Sequence, residues 1–222
     1  MGSDTAADAP VKRRGYTGQP RDPDRTTQAI LAAAKAEFAE KGIGGARVDA
    51  IAERAGINKR MLYHYFGDKL GLYMAVLEEA YASIRSAELA LALDRADPEE
   101  GIRTLARFTW RYFLDNPEFL SLLATENLYK AENLKRSARI PRIHSSFMGL
   151  LKSVLDKGAE QGRFKPGLDP IDVYLTIASM GAFYLLNRHT LSTVFNRDLM
   201  EPDRLAHWGD HLVEVVLSFV RR

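Results

Sequence analysis

The 222-residue chain contains no cysteine. Disulfides, thiol nucleophiles and zinc–thiolate centres are therefore excluded, and the composition suits a reducing cytoplasm. No apolar run approaches the ~18 residues that cross a bilayer. The opening segment MGSDTAADAPVKRRGYTGQPRDPD lacks the apolar centre of a secretory signal and reads as a disordered arm. No segment alternates apolar and polar residues as half-buried strands do, and no repeat is visible. Glycine-rich phosphate loops, a G-x-S-x-G elbow and a metal-ligand constellation are also missing. No cofactor is expected. A helical enzyme with scattered catalytic groups and a helical adaptor protein remain as alternatives.

What is present is ordinary globular material, 46% hydrophobic and 27% charged, with room for a core. Net charge is only +2, but it is unevenly spread. Residues 10–69 carry twelve Lys/Arg against seven Asp/Glu, whereas residues 70–222 carry nineteen against twenty. The basic end suits a polyanionic partner. Helical periodicity runs throughout, so the expected fold is all-α with about nine helices. Asp97-Pro98, Asn116-Pro117, Asp169-Pro170 and Glu201-Pro202 mark helix starts, because proline is tolerated at the first helical position. Ile140-Pro141 is a weaker signal of the same kind.

Three elements stand together near the N-terminus. A first helix spans about Arg25–Lys41, capped by Asp22 or Asp24 and ended by Gly42. A second, about Val48–Ala55, places Val48, Ile51, Ala52 and Ala55 on one face, and Gly56 breaks it. A third, about Asn58–Phe66, turns Leu62 and Phe66 inward. Two short helices about a glycine turn, braced by a longer one, make a helix-turn-helix. With Leu62 and Phe66 inside, Lys59, Arg60, Tyr63 and His64 point to solvent, while Tyr65 is expected to pack partly in the core. Cations interleaved with aromatic hydrogen-bond donors suit a groove of phosphates and base edges. Asp68 caps a fourth helix, which puts Lys69 in its first turn. A cation there opposes the helix dipole by a few tenths of a kcal/mol, and Gly71 weakens the turn by up to ~1 kcal/mol. A bound phosphate would reverse the first effect.

The run AILAAAKAEFAEKGIGGARVDAIAERAGINKRMLYHYFGDKLGLY, residues 29–73, closely resembles the DNA-binding domain of TetR-family transcriptional regulators. NKRMLYHYFGDK, DNPEFLSLL and FYLLNRHTL are similar to a subgroup related to the uracil-sensing regulator of pyrimidine catabolism. The resemblance implies a homodimeric regulator, a repressor released from a palindromic DNA operator by a small effector. It implies an arm over residues 1–21, a DNA-binding domain over 22–69 and an effector-binding and dimerisation domain over 70–222. By position, Asn58, Lys59, Arg60 and Met61 begin the recognition helix, Tyr63, His64 and Tyr65 contact backbone or bases, and Lys69 a phosphate. Arg47 replaces the usual Ser or Thr cap, so that cap is lost and Arg47 becomes a phosphate contact. Leu70-Gly71 departs from the family pattern, so the fourth helix is expected to start loosely.

In the larger domain, Trp110, Phe113, Phe147 and Tyr184 are candidates to line an effector cavity, with Glu126, Asn127, Asn187 and His189 as its polar groups. Plain core packing and surface roles compete for every one of them. Ala178 and Gly181 on one helix, and Leu205, Trp208, Leu212, Val216 and Phe219 on the last, are candidates for a four-helix dimer interface. His207 and His211 have metal-compatible spacing, but no glutamate follows the first histidine, and surface or interface roles suit them better.

The arm around Lys12, Arg13, Arg14 and Arg21 is expected to track phosphates or enter a minor groove. Deleting residues 1–20 should weaken operator binding and reduce its dependence on salt. An unchanged salt slope in a fluorescence titration would rule out that role.

Overall fold

The structure, a computed structural model, describes residues 23–222. The basic arm with Arg13 and Arg14, and Asp22, lie outside the described residues. α1 spans Pro23–Gly45 and buries Ile30, Ala33, Ala34 and Phe38. Asp24 lies within its first turn rather than before it. Gly42 adopts φ 64° and ψ 172°, a conformation open to glycine, and bends the chain where the regular helix was expected to stop. α2 (Val48–Arg54) and α3 (Lys59–Phe66) follow, separated by Gly56 at φ 64°. Ile51, Ala52 and Leu62 close this small unit from inside.

The missing cap of α2 has a substitute. Arg47 occupies the cap position without a side-chain hydrogen bond. Buried Glu37 reaches over from α1 and accepts the Arg47 amide at 3.2 Å, while also accepting Lys41 Nζ at 2.9 Å. The Lys41 hydrogen bond holds the Glu37 carboxyl below its usual range.

α4 (Lys69–Ala90) leaves the small unit and runs into the larger domain. Its start is firm, which corrects the expectation of a loose one. Asp68 Oδ1 accepts the Gly71 amide at 2.7 Å. A Cβ on Gly71 would sit 2.1 Å from the Phe66 carbonyl oxygen, so glycine is what lets α3 and α4 meet so closely.

Five long helices complete the larger domain: α5 (Pro98–Asp115), α6 (Pro117–Leu128), α7 (Arg139–Glu160), α8 (Pro170–Leu186) and α10 (Pro202–Val220). Asp97 and Asp169 cap α5 and α8 by accepting the Glu99 and Ile171 amides. α7 begins at Arg139, before Pro141, because Ser137 Oγ accepts the amides of Arg139 and Ile140. Residues 170–194 form two helices rather than one. Asn187 donates both its amide and its side-chain Nδ2 to the Phe183 carbonyl, ending α8, and a short α9 (Arg188–Val194) follows. The described residues thus form ten α-helices, with only an isolated bridge between Phe164 and Arg221 in place of strands.

The two units share one core. α1 packs on α4 and on α6, and Phe38 of α1 meets Tyr73 of α4 edge to face at 4.9 Å between ring centres. Gly71→Ala is expected to destabilise the protein by roughly 1–3 kcal/mol, a typical overpacking cost. Urea unfolding measures it, and an unchanged midpoint would show that the α3–α4 junction yields easily.

Candidate nucleic-acid interface and interior sites

α2 and α3 present one outward surface. Asn58 Oδ1 accepts the Arg60 amide and starts α3, so Asn58 holds the helix as well as flanking its exposed side. Leu62 is fully buried and Phe66 half-buried, which turns the remaining positions of α3 out. Arg60, Tyr63 and His64 are exposed, and Met61 is half-buried. Tyr65 is exposed too, so the expected partial core role is corrected; its ring meets His64 edge to face at 5.6 Å. Lys59 is not simply free in solvent, since its ammonium pairs with Asp49 of α2 at 2.8 Å. That hydrogen bond raises the Lys59 pKa and lowers that of Asp49. Lys69 reaches back to the Gly44 carbonyl at 3.5 Å, which sets it at the joint of α1 and α4 beside this surface. Arg47 is exposed at the start of α2.

The eight candidate effector contacts do not form one pocket. Trp110 and Tyr184 are buried ring to ring at 5.5 Å, with Trp110 Nε1 donating to the Leu205 carbonyl and the Tyr184 hydroxyl to the Leu199 carbonyl. Trp110 forms the floor of a groove of about 730 Å³ between α5 and α10, and Gly209 faces its indole so closely that a Cβ would fall 2.8 Å away. Phe113 stacks on Phe119 and borders a separate cleft. Asn127 and Asn187 donate to carbonyls one turn back on their own helices, and His189 is exposed. They are helix-surface residues.

Glu126, expected as a polar ligand group, has its carboxylate engaged inside the fold. It is buried, and its carboxylate accepts the Tyr73 hydroxyl, Asn133 Nδ2 and the Leu134 amide, each at 2.9 Å. These bonds tie α6 to α4 and to the turn Leu134–Arg136 before α7. Burial and the Glu126 carboxylate push the Tyr73 hydroxyl pKa far up.

Phe147 belongs to a cluster that composition and periodicity do not reveal. It packs against Arg85 of α4, whose guanidinium carbon lies 4.6 Å from its ring centre. Arg85 is 2% exposed and Glu88, one turn on, 0%. Arginine and glutamate one turn apart on a helix ordinarily mark a solvated face, so nothing in the chain's pattern signals that this pair is internal.

The candidate dimer contacts divide as well. Leu212, Val216 and Gly181 are buried within the protomer, with Gly181 against the Phe113 ring, so they face its own core rather than its surface. Ala178, Leu205 and Trp208 are half-buried and Phe219 is exposed. The outward stripe of α8 is instead Ile171, Leu175, Phe183 and Leu186. Their spacing of four, eight and three residues follows the same face as Ala178. His207 and His211 lie on the outer side of α10 with parallel rings 6.5 Å apart, and the described residues contain no group of three metal-binding side chains.

A helix-turn-helix whose recognition helix shows cations and aromatics, joined to a larger helical domain, defines a DNA-binding regulator. The family models agree. Residues 30–76 match the bacterial regulatory proteins of the tetR family, and residues 98–216 match the tetracyclin repressor-like C-terminal domain. The chain belongs to the TetR family, whose members are transcriptional regulators rather than enzymes. It is similar to the HTH-type transcriptional repressor NicS of Pseudomonas putida, with 39% identity over 90% of this chain and 94% of that one. It is also similar to the HTH-type transcriptional regulator RutR of Escherichia coli O157:H7, with 33% identity over 65% of each chain. The solved structure of SCO4942 from Streptomyces coelicolor superposes with a TM-score of 0.67, at 26% identity, over 88% of this chain and 98% of that one.

Burial raises the Glu88 pKa from 4.5 to about 7 against the opposing pull of Arg85. Between those values the folded protein holds a proton that the unfolded chain releases. This contribution is therefore complete below pH 4.5 and is lost as pH rises through about 7. Glu88→Gln should flatten the fall in unfolding free energy between pH 5 and pH 8 by about 1–3 kcal/mol. Identical pH profiles in urea titrations would instead mean that Glu88 stays ionised against Arg85.

Proposed function

We propose that this protein is a homodimeric, cytoplasmic transcriptional repressor that binds a palindromic operator and is released by a small effector held in the larger domain. The observation that carries the reading is the outward face of α3. Its buried Leu62 leaves Arg60, Tyr63, His64 and Tyr65 exposed, beside Lys59, Lys69 and Arg47. Base-edge contacts fall to the α3 side chains and phosphate contacts to Lys69, Arg47 and the basic arm. The Lys59–Asp49 pair is a surface pair, screened by water and weak enough to exchange for phosphate. Similarity to a named repressor supports repression over activation.

Dimerisation follows from the same logic. One recognition helix reads too few base pairs for specificity, and two must lie ~34–36 Å apart to enter successive major grooves. The exposed apolar stripe of α8, with Phe219 and the half-buried Leu205 and Trp208 of α10, is the face proposed to meet a second copy. Leu175→Glu should yield monomers of unchanged helicity in light scattering. A stable dimer would place the interface elsewhere.

Effector control needs a contact route to the reading unit. The turn Leu134–Arg136 is held by Glu126, Glu126 by Tyr73, and Tyr73 packs on Phe38 of α1. A ligand that displaces this turn would tilt α1 and α4 and change the spacing of the two recognition helices. Coupling of 1–3 kcal/mol, or ~5–150-fold in affinity, is the usual scale. Electrophoretic titration of a genomically selected operator tests the reading. Lys69→Ala should weaken binding to all DNA and reduce the salt slope by about one. Full affinity at physiological salt would remove Lys69 from the interface.

A further inference from the structure

Tyr81, Arg85 and Glu88 lie on successive turns of α4, and Arg85 faces Phe147 of α7 and Tyr174 of α8. The Arg85 guanidinium sits between two aromatic rings, 4.6 Å from the Phe147 centre and 5.1 Å from that of Tyr174. Its Nη2 meets the Tyr174 hydroxyl at 3.0 Å. Its Nε approaches Glu88 Oε2 at 2.9 Å, an ion-pair distance, yet the two are not aligned for a hydrogen bond. Nε, Nη1 and both Glu88 oxygens have no hydrogen-bond partner among the described residues. A buried guanidinium with unused donors is costly, and a chain that keeps one has a reason beyond stability.

A cavity lies next to it. It is an open cleft of about 350 Å³ lined by Tyr81 of α4, by Ala131, Leu134 and Lys135 of the α6–α7 connection, and by Ile140, Pro141 and His144 of α7, with Arg85 buried and not itself part of the lining. Tyr81 stands one turn before Arg85. His144 meets the Tyr174 ring edge to face at 5.5 Å, and Tyr174 carries the hydroxyl bonded to Arg85. The lining is apolar apart from its rings and Lys135 at the rim. His144 is pushed toward its neutral form by burial and by Arg85, so Arg85 is the interior cation of the cluster. Glu88, whose pKa burial raises, lies at ion-pair distance from Arg85 but satisfies none of its hydrogen bonds.

Taking the larger domain as the effector domain, we infer that the effector is a small organic monoanion with a flat, largely apolar body. Its acid group pairs with Arg85, and its body occupies the cavity between Tyr81 and His144. The planar guanidinium accepts a carboxylate through two parallel N–H bonds, and the surrounding rings favour an aromatic or otherwise planar body. The volume is at the small end of ligand sites and suits a small body. One interior cation and an apolar lining also disfavour polyanions. The site explains the response as well, because Leu134 is both a cavity wall and the residue whose amide Glu126 holds.

The test uses the full chain with benzoate, 4-hydroxybenzoate, phenylacetate and 4-bromobenzoate, each beside its uncharged amide. Calorimetry should find at least one acid binding with a Kd at or below about 1 mM, and its amide at least about tenfold more weakly. Arg85→Gln combined with Glu88→Gln, which removes both buried charges together, should abolish that preference. Crystals soaked in 4-bromobenzoate should show the bromine signal beside Tyr81 and His144, a readout that needs no variant. Absence of binding by every acid, equal binding of acid and amide, or bromine elsewhere would each overturn the assignment and leave the pair an internal structural feature. DNA affinity is read separately. Acid binding with unchanged operator affinity would keep the site but count against effector release. Operator binding by the free protein with no acid bound would discard the site alone.

Discussion

The carboxylate of Glu126 sits where the two units of this protein become one. It accepts three hydrogen bonds from two segments, α4 and the connection before α7, and the buried Tyr73 hydroxyl would be left unpaired in the interior if it were lost. Removing one partner of a buried charged hydrogen bond costs more than the bond contributes, so the arrangement tolerates little variation. The helix-turn-helix is too small to bury a sufficient core by itself. It completes that core against α4 and α6, through Phe38, Tyr73 and their neighbours. A reading unit that depends on the larger domain for its packing must also respond when that packing changes. The proposed control at a distance rests on contacts of this kind.

Three uses of charge can be compared within the fold. On the reading surface, Lys59 pairs with Asp49 in water, and Lys59 can exchange that carboxylate for a phosphate at little cost. Inside, Arg85 and Glu88 are held away from water among Phe147, Tyr174 and Tyr81, with hydrogen-bonding capacity left over. The first pair tunes a surface, whereas the second is an energetic liability that makes sense where a further partner arrives. Glu37 shows the third case, a buried carboxylate whose donors are supplied by its own chain and which replaces a lost helix cap.

The helix-turn-helix was legible because its determinants are local. Leu62 is buried and Tyr63 and His64 exposed, as helical periodicity requires, and the caps at Asn58, Asp68, Asp97 and Asp169 act where polar residues precede helix starts. Gly71 misled, because helix propensity counts it as a weakness while the Phe66 carbonyl 2.1 Å from its missing Cβ makes it a necessity. Leu212 and Val216 misled for a related reason. An amphipathic helix has one apolar face, and its spacing does not say whether the protomer or a second copy covers it.

The sequence by itself determined the all-α class, the reading helix and most of its outward residues, and the places where most helices begin. Those properties depend on neighbours within one or two turns. Only the tertiary structure decided that Glu126 serves the seam between units, that Trp110 and Phe147 lie in different environments, and that Arg85 is buried with donors to spare. Each of those depends on groups tens of residues away along the chain, such as the 53 separating Tyr73 from Glu126 and the 89 separating Arg85 from Tyr174. Periodicity along one helix carries no record of what packs against it.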